Sequence, residues 1–217
     1  MLVNIEGIDG SGKGTITKMM LGRLIAAGKK VSMLSFPDYK GTVYGRLVGR
    51  YLNGDFGESV HPALRSLLYA MDRREHLPLL KEEMSTGIVL CDRYVSSNLA
   101  YACLSCPAGE LKDVLNLIAY TEYGLLGLPV PDVILILDMP VEFASQNVAK
   151  KAEREYTARP ADLHEAQTAM MRTIRNFYVN ELSLYHPTTE THVIGCVEND
   201  EMLSLQAVCD KAMCFLG

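Results

Sequence analysis

Gly7-Ile8-Asp9-Gly10-Ser11-Gly12-Lys13-Gly14-Thr15 decides how this chain is read. A short apolar run, Leu2, Val3 and Ile5, precedes it, and Ile16, Met19, Met20 and Leu24 recur after it at helical spacing. A strand, a glycine-rich turn and a helix opening make a phosphate cradle. Backbone N–H groups freed by glycine converge on phosphate oxygens, and the helix N-terminus adds positive potential. Lys13 supplies a full charge for β- and γ-phosphates. Gly14 stands where the general pattern places Ser or Thr directly after the lysine. A magnesium ion here therefore relies on Thr15, Ser11, acidic groups or waters.

Working outward, 217 residues suit one sizeable α/β domain (residues 1–217), and no linker-like stretch divides it. A composition 48% hydrophobic and 22% charged is that of a soluble globular protein. The net charge of −5 gives no general attraction to nucleic acid or to an anionic membrane, so any polyanion site must be locally basic. No apolar run is long enough to span a bilayer, and no charged leader precedes Leu2–Ile5, so a cytoplasmic protein is expected. Cys103 and Cys106 form a single C-x-x-C with neither a second pair nor a nearby His pair. Reduced thiols are the expectation for them and for Cys91, Cys196, Cys209 and Cys214.

The pattern predicts strands at Leu2–Ile5, Val31–Phe36, Ile88–Cys91, Val133–Leu137 and Val193-Ile194. Between them it predicts helices over Lys13–Ala27, from Val43 to Leu52, from Pro62 to a stop at Leu77-Pro78, over Leu99–Cys103 and from Leu111 to about Tyr123. A helix with a basic tail (Lys150, Lys151, Arg154) precedes another over Asp162–Leu184, and Met202–Phe215 closes the chain. Strands alternating with helices imply a five-stranded parallel sheet with helices on both faces.

Such sheets bind ligands at the carboxyl ends of their strands, where three clusters fall independently. They are the glycine-rich loop, Phe36 to Lys40, and Asp92-Arg93-Tyr94. Asp92, ending an apolar strand, is placed to hold magnesium directly or through water. Arg93 is a planar donor fork suited to phosphate. Tyr69 and Arg73, four residues apart, share one helix face, where one can stack and the other hydrogen-bond; a surface arginine beside a core tyrosine fits the spacing equally.

Over nearly its whole length the sequence resembles the thymidylate kinases. The resemblance rests on the Gly7–Thr15 loop, Phe36-Pro37, Tyr69 to Arg73, and Asp92-Arg93-Tyr94-Val95-Ser96-Ser97-Asn98-Leu99-Ala100-Tyr101. Leu128-Pro129-Val130-Pro131-Asp132 and Asp162-Leu163-His164-Glu165 add to it. It implies the P-loop NTPase three-layer αβα fold and transfer of phosphate from ATP to dTMP, with Mg2+ as cofactor. It implies a homodimer that binds neither nucleic acid nor membrane.

By this resemblance Gly7, Gly10, Ser11, Gly12, Lys13, Gly14 and Thr15 hold ATP, and Asp9, Thr15 and Asp92 serve the metal. Tyr69 stacks on the thymine ring, Arg73 reaches a base carbonyl, and Asn98 meets the polar edge of the base. Arg93 holds the acceptor phosphate, Tyr101 crowds the sugar, and Phe36, Tyr39 and Ser97 line the same site. Asp9 lies near the sugar 3′-OH, and Asp162 and Glu165 beside the monophosphate. With no basic residue between Asp9 and Gly12, catalytic charge beyond Lys13, Asp9 and Arg93 is expected from Lys150, Lys151 or Arg154 in a lid over residues 148–161.

One position departs from the family. Where an arginine usually follows Phe-Pro, this chain has Asp38 and Tyr39. Either Lys40 substitutes, or Asp38 holds metal, or acceptor binding is altered; a carboxylate beside phosphate favours the metal role. A kinase for another nucleoside monophosphate is the near alternative. A regulatory NTPase is the distant one, disfavoured by the lack of an Asn-Lys-x-Asp guanine-reading motif and by the acceptor-side cluster Arg73, Arg93, Asn98 and Tyr101.

Overall fold

Every residue of Leu2–Glu6 is buried, so this segment has to lie inside the sheet rather than at its edge. In the computed structural model of the chain it does. The structure describes residues 1–57, 60–104, 106, 107, 109–154 and 161–216, and the backbone alone for 151–154 and 161–166. β1 (Leu2–Glu6) runs parallel between β3 (Ile88–Asp92) and β4 (Val133–Asp138), in register Val3 with Leu90 and Val3 with Val133. β2 (Val31–Ser35) and β5 (Glu190–Gly195) complete a five-stranded parallel sheet in the order β2-β3-β1-β4-β5.

Successive strand residues point to opposite faces, and β3 displays both. Leu90 packs with Ile16 and Met20 of α1 (Lys13–Ala26), whereas Val89 and Cys91 pack with Leu77 and Leu80 of α4 (Leu77–Thr86). Helices therefore cover the sheet on both sides, as the alternating pattern predicts. The acceptor-side helices are α2 (Val43–Leu52), α3 (Pro62–Glu75), α5 (Val95–Ala102) and α6 (Leu111–Ala119), the last continuing as a π-helical turn, Tyr120–Leu125. α7 (Val141–Arg154), α8 (Ala161–Asn180) and α9 (Leu205–Met213) follow.

Several boundaries differ from expectation. α3 stops at Glu75, before Leu77-Pro78 as expected, but α4 starts at once, because proline in a first turn forfeits no intrahelical bond. α5 begins at Val95 rather than Leu99. Met202 pairs with Val197 across a short hairpin, β6 (Val197–Glu198) and β7 (Glu201–Met202). The last helix starts only where Ser204 caps it, its Oγ accepting from Ala207 N–H at 3.1 Å.

Glu6 is fully buried at the carboxyl end of β1. Its carboxylate accepts from Tyr94 N–H at 3.0 Å, Ser97 Oγ at 2.8 Å and Tyr178 Oη at 2.8 Å, tying β1 to α5 and α8. Removing it strands three donors in the interior. Glu6→Ala is expected to lower stability by roughly 2–5 kcal/mol in urea unfolding, and an unchanged midpoint would refute that role.

Candidate active site

The glycine-rich turn closes through Ser11 N–H to Ile8 O at 3.1 Å, and α1 begins with Thr15 N–H and Ile16 N–H on Gly12 O, both at 3.0 Å. Gly10 has φ +85°, and a Cβ there would sit 2.2 Å from the Ala144 carbonyl oxygen of α7. Only glycine fits so close an approach. Asn147, also on α7, donates from Nδ2 to Gly10 O at 2.9 Å, so α7 grips the loop from outside.

Lys13 is the buried cation of this turn, its side chain 11% exposed and its Nζ 3.4 Å from Ile8 O and from Asp9 Oδ1. Burial, then the neighbouring Arg93, push its pKa down to about 8, against the pull of Asp9, Asp92 and Glu6. Arg93 has φ +69°, a left-handed conformation rare for a side-chain-bearing residue and one that collects at functional sites. Its guanidinium donates to Asp9 Oδ1 at 2.5 Å and to Ser97 Oγ at 3.2 Å, and lies 5.5 Å over the Tyr101 ring. Burial opposes the Arg93 charge, but Tyr101, Asp9 and Glu6 around it keep its pKa raised. Burial would raise the Asp9 carboxyl, yet Arg93 and Lys13 hold it below its ordinary value.

Beside this pair opens a cleft of ≈ 500 Å³ whose lining includes Asp9, Phe36, Pro37, Tyr39, Tyr69, Arg73, Arg93, Ser97, Asn98 and Tyr101. Sequence-distant candidates for the acceptor therefore do meet in one place. Arg73 is not the surface arginine that the spacing also allows: it is 2% exposed and clamped by Glu122, Nε to Oε2 at 2.6 Å and Nη2 to Oε1 at 2.7 Å. Asn98 Nδ2 bonds the same Oε1 at 2.7 Å. The side chains of Lys151, Arg154, Asp162 and Glu165 lie outside the described residues.

The donor side carries two orphans. Asp92 Oδ1 and Ser11 Oγ are buried without a hydrogen-bond partner. A Cβ on Gly14 would stand 3.0 Å from Asp92 Oδ2, so the missing side chain at that position lets the Asp92 carboxylate close on the loop. Asp92 and Ser11, with the exposed Thr15 nearby in the chain, suit a hard cation that takes most of its ligands from phosphate and water. Among the described residues no three His, Cys, Asp or Glu side chains gather as a ready-made metal cage.

Asp38 is held by local partners. Its Oδ1 accepts from Gly41 N–H at 2.8 Å and Lys40 N–H at 3.3 Å, and His76 Nε2 lies 3.2 Å from Oδ2. Oδ1 thus closes the turn before α2 on its own backbone, as an aspartate commonly does, while Oδ2 faces the residue that caps α3. The exposed Lys40 does not line the cleft. Glu6, Glu122, Asn147 and Tyr178 escape the sequence reading. Glu122 leaves a trace there, since Val114, Leu115, Ile118 and Glu122 fall on one helical face and an acid on an apolar face needs a buried partner.

Residues 5–192 match the family model described as thymidylate kinase. A thymidylate kinase of Mycobacterium tuberculosis is 30% identical over 175 residues, 79% of this chain and 81% of that protein. A thymidylate kinase of Homo sapiens is 32% identical over 154 residues, 70% and 68% of the two chains. One from Thermomicrobium roseum is 32% identical over 180 residues, 81% and 78%.

The position of Asp38 generates a direct test. Asp38→Ala is expected to leave the magnesium dependence of turnover unchanged while lowering stability by roughly 0.5–2 kcal/mol, the cost of losing a side-chain acceptor for backbone amides. A raised magnesium requirement in this variant would return Asp38 to the metal site.

Proposed function

This chain belongs to the thymidylate kinase family, and we propose that its cleft seats dTMP against the Lys13 loop for phosphorylation by ATP to dTDP. The observation that carries the reading is the Arg93–Asp9 pair, which stands between the phosphate loop and the cleft of Tyr69, Arg73 and Asn98. Phosphoryl transfer asks for alignment and charge more than for covalent chemistry. Lys13 and the loop amides neutralise the donor phosphates. Arg93 holds the acceptor phosphate, and Asp9, joined to both cations, orients them and meets the sugar. Tyr69 supplies the stacking face, Arg73 and Asn98 the polar edge, while Phe36, Tyr39, Ser97 and Tyr101 shape the wall. Asp162 and Glu165 border the monophosphate, and Lys151 or Arg154 adds charge from a lid over residues 148–161 as it closes and excludes water.

Mg2+ is assigned to Asp92, Thr15 and Asp9, a placement supported by the unpartnered Asp92 oxygen. When bound, it neutralises phosphate charge and orients the donor oxygens. The whole chain is read as a single kinase domain acting in the cytoplasm. Among the described residues no helix is long and apolar enough to cross a membrane.

The test is ADP release measured across the nucleoside and deoxynucleoside monophosphates. kcat/KM for dTMP is expected to exceed that of every other acceptor by at least about tenfold. No dTMP-dependent ADP release, or a better substrate elsewhere in the set, would overturn the reading.

A homodimer is proposed as well. Leu64 and Leu67 on α3, and Leu117 and Tyr120 at the end of α6, are 40–61% exposed, and Leu67 and Leu117 line one groove between these helices. Paired charges there, as in Leu64→Glu with Leu117→Glu, are expected to convert a dimer to a folded monomer in sedimentation. A variant that still sediments as a dimer would place the interface elsewhere.

A further inference from the structure

Arg73 and Asn98, two of the polar side chains that line the cleft, are held from behind by one carboxylate. Glu122 is fully buried in the π-helical turn, a local widening often found where a helix serves a site. Its Oε2 accepts from Arg73 Nε, and its Oε1 is shared by Arg73 Nη2 and Asn98 Nδ2. Asn98 Nδ2 also donates to Ser66 O at 2.9 Å.

An amide nitrogen carries two hydrogens, and both are committed here. Reversing the amide would turn Oδ1 onto a carbonyl and a carboxylate, three acceptors with no donor among them. The orientation is therefore fixed, and Asn98 can offer the cleft only an acceptor. Arg73, with Nε and one Nη2 hydrogen on Glu122, keeps its other N–H groups and can offer only donors.

We propose that Glu122 is the positioning residue that sets the choice of pyrimidine. By fixing an acceptor at Asn98 beside donors at Arg73, it makes the cleft complementary to a base with an N3–H donor next to an O4 acceptor. Cytosine presents the opposite order, an N3 acceptor next to an N4 amino donor, and meets like with like at both positions. This inference rests on reading the cleft as the dTMP site, and it adds the source of its polarity. A site built around committed hydrogen-bond groups rejects a mismatched edge far more strongly than an apolar pocket rejects an extra methyl.

Glu122→Gln keeps the shape but leaves one acceptor oxygen for three N–H groups, so Arg73 or Asn98 loses a partner that fixes it. In this variant the ratio of kcat/KM for dTMP over dCMP is expected to fall at least about tenfold, with KM for ATP unchanged. Glu122→Asp, which retains the carboxylate, is expected to keep more of the ratio. A purely structural role would lower stability and depress both acceptors equally. A folded Glu122→Gln protein whose ratio stays within about threefold of wild type would therefore overturn the proposal.

Removing one partner of a buried ion pair is destabilising, so wild-type enzyme carries a second arm. 5-Methyl-dCMP and N3-methyl-dTMP keep the ring and its methyl while reversing or deleting the polar edge. Rejection of both by at least about tenfold supports the fixed polarity; turnover of either within about threefold of dTMP overturns it. Wild-type protein inactive on dTMP itself would instead sink the functional reading.

Discussion

The buried carboxylate of Glu6 is the interaction on which the architecture turns. It sits one residue before the phosphate loop, and its three donors belong to the acceptor-side helix α5, to the turn entering it, and to α8. Transfer between two nucleotides needs their two sites held to within fractions of an ångström. A carboxylate with several satisfied donors in a dry interior is a stiffer joint than apolar packing, because displacing any donor leaves a desolvated group behind. Ser97 carries the joint onward, accepting from Arg93 while donating to Glu6.

Around that joint the protein concentrates positive charge. Burial and then the nearby Arg93 discourage the Lys13 proton, while Arg93 itself stays firmly charged. Asp9 answers both cations yet is 47% exposed, so it compensates them only in part. A polyphosphate entering such a place meets donors already oriented and little water to reorganise, which is where electrostatic stabilisation is strongest. Asp92 Oδ1 and Ser11 Oγ, by contrast, are buried acceptors left without a hydrogen-bond partner.

How much of this was legible in the sequence follows from the range of each interaction. The five-stranded parallel sheet and the loop were legible, because apolar runs and glycine spacing act over a few residues. The resemblance to thymidylate kinases named Tyr69, Arg73, Arg93, Asn98 and Tyr101 as one group, and these do line one cleft. Local patterns did not show the partners of Asp38, since an aspartate that closes its own turn looks in sequence like one that faces a ligand. They also passed over Glu122, whose partners lie 49 and 24 residues away. Periodicity marks a face as buried but says nothing of which polar groups meet there. The start of α4 was missed for a smaller reason: one proline both stops and starts helices.

The central position of β1 also bears on how the chain is made. Its neighbours in the sheet are β3, where Leu2 pairs with Val89, and β4, where Val3 pairs with Val133. During synthesis at about 5–20 residues per second, β1 waits roughly 4–17 s for one neighbour and longer for the other. The segment buried on every residue in the finished protein is thus the one left longest without an edge to join. Vectorial synthesis therefore makes the amino-terminal third of this kinase a natural client for chaperones, and slower translation before β3 prolongs its exposure.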